Sequence, residues 1–187
     1  MTADFVEFLR ERLFRPNQEV AEAVDLDAWI EQPGLPEGFA EPKSDRLAAI
    51  DQAAKSWLEG TTTPDKLGAG DWSTQEWLHF LQALPEKLPL EKMAELDQPF
   101  SLTARGNAEI AHQWLLMSIR NGYTPADVRL ESYLTSIGRR KLVLPLYRAL
   151  IATPAGRVRA ELIYARARPT YHPITVDSID RLMKGKK

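Results

Sequence analysis

Between Asn107 and Gly122 lies a segment that is apolar on nearly every side, with Ile110, Ala111, Trp114, Leu115, Met117 and Ile119 in close succession. Asn107 can accept hydrogen bonds from the first-turn N–H groups, and Gly122 stands where a helix closes on glycine. A helix without a polar face must be covered all round. The remainder of the chain therefore has to supply that cover. No segment alternates apolar and polar residues long enough to read as a strand, so the cover is helical and the fold class is all-α.

The other helices are bounded by similar signals. Phe5, Val6, Phe8, Leu9, Leu13 and Phe14 recur at helical spacing behind Thr2, ending at Pro16 and Asn17. Residues 17–24 read as a polar connection, and Asp25-Leu26-Asp27-Ala28-Trp29-Ile30 as a capped helical turn that buries Trp29. The prolines from Pro33-Gly34-Leu35-Pro36 to Pro42 make an ordered elbow, since each fixes φ and removes a donor. Leu47, Ile50, Ala54, Trp57 and Leu58 then trace one stripe over residues 44–59, with Gly60 at the end. Ser73-Thr74-Gln75-Glu76 is a capping box for Trp77, Phe80, Leu81 and Leu84, and residues 88–96 give a shorter helix.

Residues 124–137 predict a helix capped by Thr124, with Leu130, Tyr133, Leu134 and Ile137 on its apolar side and Gly138 closing it in the left-handed conformation. A further helix restarts into Leu142, Leu146, Tyr147 and Leu150, with Pro145 near its first turn. Thr153 caps the next, which carries Val158, Leu162, Ile163 and Ala165 opposite Arg157, Arg159, Arg166 and Arg168. Thr175 caps a last short helix through Ile179, Leu182 and Met183, and Gly185-Lys186-Lys187 is expected to fray. Eight or nine short amphipathic helices joined by tight turns imply an irregular right-handed superhelix, an armadillo- or HEAT-like solenoid.

Composition narrows the function. The chain has 187 residues, 44% hydrophobic and 27% charged, with a formal net charge of −2. It lacks the bulk positive field that dominates nucleic-acid affinity, so no nucleic-acid partner is expected. The absence of cysteine excludes disulfides and thiol chemistry and fits a reducing compartment, which makes cytoplasm the expected location. No apolar run approaches the roughly 20 residues that span a bilayer, so no membrane partner is expected either.

Catalytic motifs are missing from the chain. His79, His112 and His172 have no histidine at the i+4 spacing of a zinc-binding H-E-x-x-H helix. Glu76 and His79 have the E-x-x-H spacing, but a dinuclear site needs a second such pair. Gly68-Ala69-Gly70 starts like a dinucleotide fingerprint without its third glycine or a preceding strand. The five tryptophans lie in apolar stripes and read as core.

One feature resists a structural account. In Gly138-Arg139-Arg140-Lys141 a helix opens on three consecutive cations, at the end where the helix dipole favours carboxylates. A solvated turn and an anion-recognition site are both open on these residues alone.

Asp25-Leu26-Asp27-Ala28-Trp29-Ile30-Glu31-Gln32-Pro33-Gly34-Leu35-Pro36 resembles the entry to the C-terminal domain of leukotriene A4 hydrolase and its bacterial aminopeptidase relatives, in metallopeptidase family M1. The resemblance continues at Asn107-Ala108-Glu109-Ile110 with Trp114-Leu115, at Gly138-Arg139-Arg140-Lys141 with Pro145-Leu146-Tyr147, and at His172-Pro173-Ile174-Thr175. It implies an all-α superhelix packed against a zinc catalytic domain, with the cleft between them. It further implies that Arg139 and Lys141 receive the substrate carboxylate, arginine by a two-pronged grip and lysine as a point charge. Arg140 occupies a position where relatives can carry an uncharged residue.

With no H-E-x-x-H and no exopeptidase glycine motif, the resemblance implies a fragment of a longer hydrolase, inactive alone. No cofactor is expected in this chain, and zinc is expected in the missing catalytic domain. Residues 1–24 would form a boundary helix and linker toward that domain, and residues 25–187 the C-terminal all-α domain. The expected partners are the catalytic domain of the same polypeptide and a peptide substrate. The alternative is a free-standing helical scaffold that binds protein partners.

Overall fold

A computed structural model describes residues 2–37, 39–40 and 43–185. Met1, Pro42, Lys186 and Lys187 lie outside the described residues, which removes Pro42 from the proline elbow and the last two residues from the expected frayed end. Eleven α-helices and no strand occur among the described residues, in agreement with the all-α class. The chain divides into two compact units, residues 1–43 and 44–187.

In the first unit, α1 (Thr2–Leu9) runs into a π-helical turn, Arg10–Phe14, whose end is marked by the Arg15 N–H donating to the Arg10 carbonyl at 2.9 Å. Residues 17–24 are not simply a connection: α2 (Gln18–Ala23) forms there, because Glu19, Ala21, Glu22 and Ala23 are compatible with a helix despite lacking an apolar stripe. In α3 (Leu26–Ile30) Asp25 caps as expected, its carboxylate accepting from the Ala28 N–H at 3.0 Å. Trp29 is not buried but 49% exposed, since a helix of five residues offers the indole only an edge-on contact with Phe39 at 6.0 Å. No described residue of this unit is fully buried.

The second unit holds the core. Its helices are α4 (Asp45–Leu58), α5 (Thr74–Ala83), α6 (Leu90–Phe100), α7 (Ala108–Asn121), α8 (Asp127–Ser136), α9 (Arg140–Leu150), α10 (Pro154–Ala167) and α11 (Pro173–Met183). The central segment is α7, as its all-round apolarity predicts. It packs on α5 to one side and α9 to the other, α4 continues beyond α5, α11 beyond α9, and α10 lies against both α8 and α9. Trp57, Trp77, Trp114, Tyr133 and Tyr147 are among the largest wholly buried side chains. The Trp114 Nε1–H donates to Thr103 Oγ1 at 2.9 Å, and that hydroxyl donates to Asp97 at 2.6 Å, so the polar edge of the buried indole is satisfied.

Caps explain most boundaries and correct three expectations. The Ser73–Glu76 box forms on both sides, with Glu76 also bound by the Arg46 guanidinium at 2.5 Å. Thr124 does not cap α8 with its side chain; it lies in a 3-10 turn, Thr124–Ala126, that feeds the helix. α11 is capped not by Thr175 but by His172, whose Nδ1 accepts from the Ile174 N–H at 3.3 Å ahead of Pro173. Pro145 lies just past the first turn of α9, near where it was expected, and it supplies no N–H to the Lys141 carbonyl. α6 extends past the expected 96 to Phe100, Pro99 being tolerated in its final turn before Ser101 turns left-handed at φ 49°.

Candidate functional site

The basic corner is built where α8 gives way to α9. Ile137 leaves α8 in extended conformation and Arg139 precedes α9 in the same region, so the chain turns without the left-handed glycine expected at Gly138. What Gly138 meets instead is the segment ahead of α11. A Cβ there would stand 3.5 Å from Tyr171 Cδ1 and 3.7 Å from the Thr170 carbonyl, which is ordinary contact. The Gly138 carbonyl accepts from Thr175 Oγ1 at 3.1 Å, and Tyr171 donates its hydroxyl proton to the Leu134 carbonyl in the last turn of α8. Both ends of the corner are thus tied to the chain around α11.

The three cations diverge. Arg140 reaches Ser178 on α11 at 3.4 Å. Arg139 and Lys141 both turn to α7, where Arg139 Nη1 lies 3.3 Å from Glu109 Oε1 and Lys141 Nζ 3.6 Å from Glu109 Oε2. The structure therefore brings together the two residues singled out from sequence and adds a third. From sequence Glu109 stood out only within the Asn107-Ala108-Glu109-Ile110 motif of the resemblance; its partners lie 30 or more residues downstream, and no local spacing identifies them.

One turn further along α7, His112 is half-buried with Nδ1 enclosed and unpartnered. Burial pushes its pKa below the usual 6.5, the Leu142 carbonyl and the Glu109 charge oppose that shift, and Lys141 adds to it. Tyr133 on α8 donates to the Ala108 carbonyl at 2.8 Å, and its pKa is raised by burial first and by the nearby Glu109 charge second.

The remaining motifs resolve into structure. Glu76 belongs to its capping box, and His79 pairs with Asp51 at 2.7 Å instead of sharing a ligand with Glu76. Gly68-Ala69-Gly70 is a turn in which Gly68 takes φ 69°. On α10, Arg159 pairs with Asp127, Arg166 with Glu131 at 2.6 Å and Arg157 with Glu161 at 4.0 Å, and just past its end Arg168 pairs with Asp180 at 2.9 Å, so the basic residues form a set of ion pairs, three of them to other helices. Among the described residues no three histidine, aspartate or glutamate side chains converge to hold a metal, and no helix is long and apolar enough to cross a membrane. The described residues do not fit a zinc site.

The family model described as leukotriene A4 hydrolase, C-terminal, matches residues 72–183. Aminopeptidase B of Mus musculus is 23% identical over 200 residues, covering all of this chain and 30% of that protein. Leukotriene A-4 hydrolase of Xenopus laevis is 26% identical over 172 residues, covering 87% of this chain and 28% of that one. A structure of yeast LTA4 hydrolase in complex with bestatin superposes on 97% of this chain and 32% of its own with a TM-score of 0.74 at 20% identity, which is a likeness of fold. The chain spans under a third of the length of each of these relatives. With more than half of its residues matched, including the whole of α7, the basic corner and α11, this chain belongs to the leukotriene A4 hydrolase C-terminal family.

Proposed function

We propose that the chain acts as the C-terminal helical domain of a zinc aminopeptidase resembling leukotriene A4 hydrolase, where it closes the catalytic cleft and receives the C-terminal carboxylate of peptide substrates on Arg139 and Lys141. The zinc and its ligands belong to a preceding catalytic domain, toward which residues 1–24 form the boundary. The observation that carries the reading is the convergence of the two cations on one carboxylate group, one oxygen to each. Side chains two residues apart at the start of α9 have the spacing to share a carboxylate, and with side-chain exposures of 66% and 69% they remain accessible to a second one. Arg139 can offer a planar pair of N–H donors, and Lys141 a single charge.

The test is made on the intact enzyme, comparing peptides that end in a free carboxylate with the same peptides amidated. Losing one partner of a desolvated charge pair costs about 2–5 kcal/mol, so Arg139→Ala should lower kcat/KM for the acids by roughly 30-fold or more. The amides, lacking the contact, should change little, and thermal unfolding should be unaltered. Equal losses for both substrate types would return Arg139 to a structural role.

A further inference from the structure

We infer that Glu109 is the positioning residue of the carboxylate-binding corner: it holds Arg139 and Lys141 in the convergent arrangement in which they present their unused donors to a substrate carboxylate. The inference rests on the carboxylate reading given above. Its observations are the two ion pairs to separate oxygens of Glu109, the depth at which they lie, and the way Glu109 is itself fixed.

A carboxylate that shares two cations could instead be their competitor, occupying the place meant for substrate. The exposures decide between these roles. Glu109 has a side-chain exposure of 31%, against 66% for Arg139 and 69% for Lys141. The acid is the covered member and the cations the open ones, which is the order expected of a support beneath a binding surface. A plug would lie above the cations and be the most exposed of the three. Only Nη1 of Arg139 is engaged: among the described residues, Nε and Nη2 have no protein partner, leaving an edge of the guanidinium available for a two-pronged grip.

Glu109 can serve as a support because its backbone is set by a cap. The Asn107 side chain accepts from the N–H of Glu109 at 3.0 Å and of Ile110 at 3.1 Å, anchoring the first turn of α7, the end at which the helix dipole favours a negative charge. The cations have the opposite circumstances. They stand on long flexible stems at a helix start whose dipole repels them, and they repel each other. Without Glu109 they would gain net positive charge and lose their shared position, and binding through a rarely occupied arrangement is weakened in proportion to its population.

The two effects make opposite predictions. Removing the negative charge should strengthen anion binding if electrostatics alone governs and weaken it if positioning governs. The experiment uses the 187-residue chain labelled with nitrogen-15. The heteronuclear NOE of Arg139 Nε reports its order, and titration with a tripeptide and its C-terminal amide reports binding. In Glu109→Gln the Arg139 signal should become mobile, and affinity for the acid should fall about fivefold as the competent arrangement becomes less populated, with the amide unaffected. Lys141→Gln, which leaves the Arg139–Glu109 pair intact, should keep Arg139 ordered. Acid binding in Glu109→Gln that equals or exceeds that of the wild type, with Arg139→Ala still abolishing the acid preference, would overturn the positioning role and leave the carboxylate reading standing. No acid preference in the wild type would overturn both.

Discussion

Thr175 Oγ1 donates to the Gly138 carbonyl at 3.1 Å, joining the first turn of α11 to the corner that opens α9 across 37 residues of sequence. Thr175 is 2% exposed, so no water can readily replace that hydroxyl. Thr175→Val preserves shape and leaves the carbonyl unpaired, a loss of about 1–3 kcal/mol. The melting temperature should fall by roughly 2–4 °C for each kcal/mol lost in a chain of this size. A melting temperature equal to that of the wild type would show that the bond contributes nothing.

Two glycines should respond in opposite ways to alanine. At Gly156, in the first turn of α10, a Cβ would stand 2.1 Å from the Leu150 carbonyl oxygen and 2.8 Å from Thr153 Oγ1, the atom that caps the helix. Overpacking costs about 1–3 kcal/mol and loss of the cap about 1 more, so Gly156→Ala should be strongly destabilising by urea denaturation. Gly138→Ala meets nothing closer than 3.5 Å and requires no positive φ. It should be neutral or stabilising by up to about 1 kcal/mol through the unfolded chain.

His112 gives the fold a sensitivity to mild acid. Its pKa is lowered in the folded state, chiefly by burial, so below the ordinary value of 6.5 the unfolded chain binds a proton that the folded chain resists. Stability contributed by the neutral imidazole is complete above that value and declines as pH falls toward the lowered one. Melting temperatures followed from pH 8 to pH 5 should drop less in His112→Phe than in the wild type. Parallel curves would contradict this assignment.

Glu76 acts in a different range. Its capping bonds with Ser73 and its contact with Arg46 hold its pKa at about 2, below the usual 4.5. A lowered carboxylate pKa contributes stability above the unfolded value and loses it as pH falls through the folded one. Glu76→Gln should therefore be less stable than the wild type above about pH 4.5, with the difference closing toward pH 2. A gap that stays constant with pH would locate the effect in packing.

These residues also show what was legible before the fold was known. The Ser73 box, the Asn107 cap and the all-round apolar face of α7 are local signals, each contained within a few turns of chain, and each formed as read. Gly138 was misread because a glycine after a helix usually signals a left-handed closure, whereas here the neighbour that matters is Tyr171, more than thirty residues away. Thr175 was misread for a related reason: its hydroxyl satisfies the Gly138 carbonyl in another helix pair, and His172 takes the cap. At the candidate site, the cations were visible because they contradict the helix dipole. Glu109 was not visible as their partner, because an acid in a first helical turn contradicts nothing.

The proline at position 145 gives the basic corner a particular mechanical character. Since it withholds the N–H that would have closed the turn on the Lys141 carbonyl, the segment bearing Arg139 and Lys141 is less firmly tied to its own helix than a regular first turn would be. Its coordinates are borrowed from two other helices, from α11 through Thr175 and from α7 through Glu109. A displacement of α7 relative to α11 would accordingly be expressed as a change in the separation and aim of the two cations, with α9 beyond the proline free to stay where its buried leucines hold it.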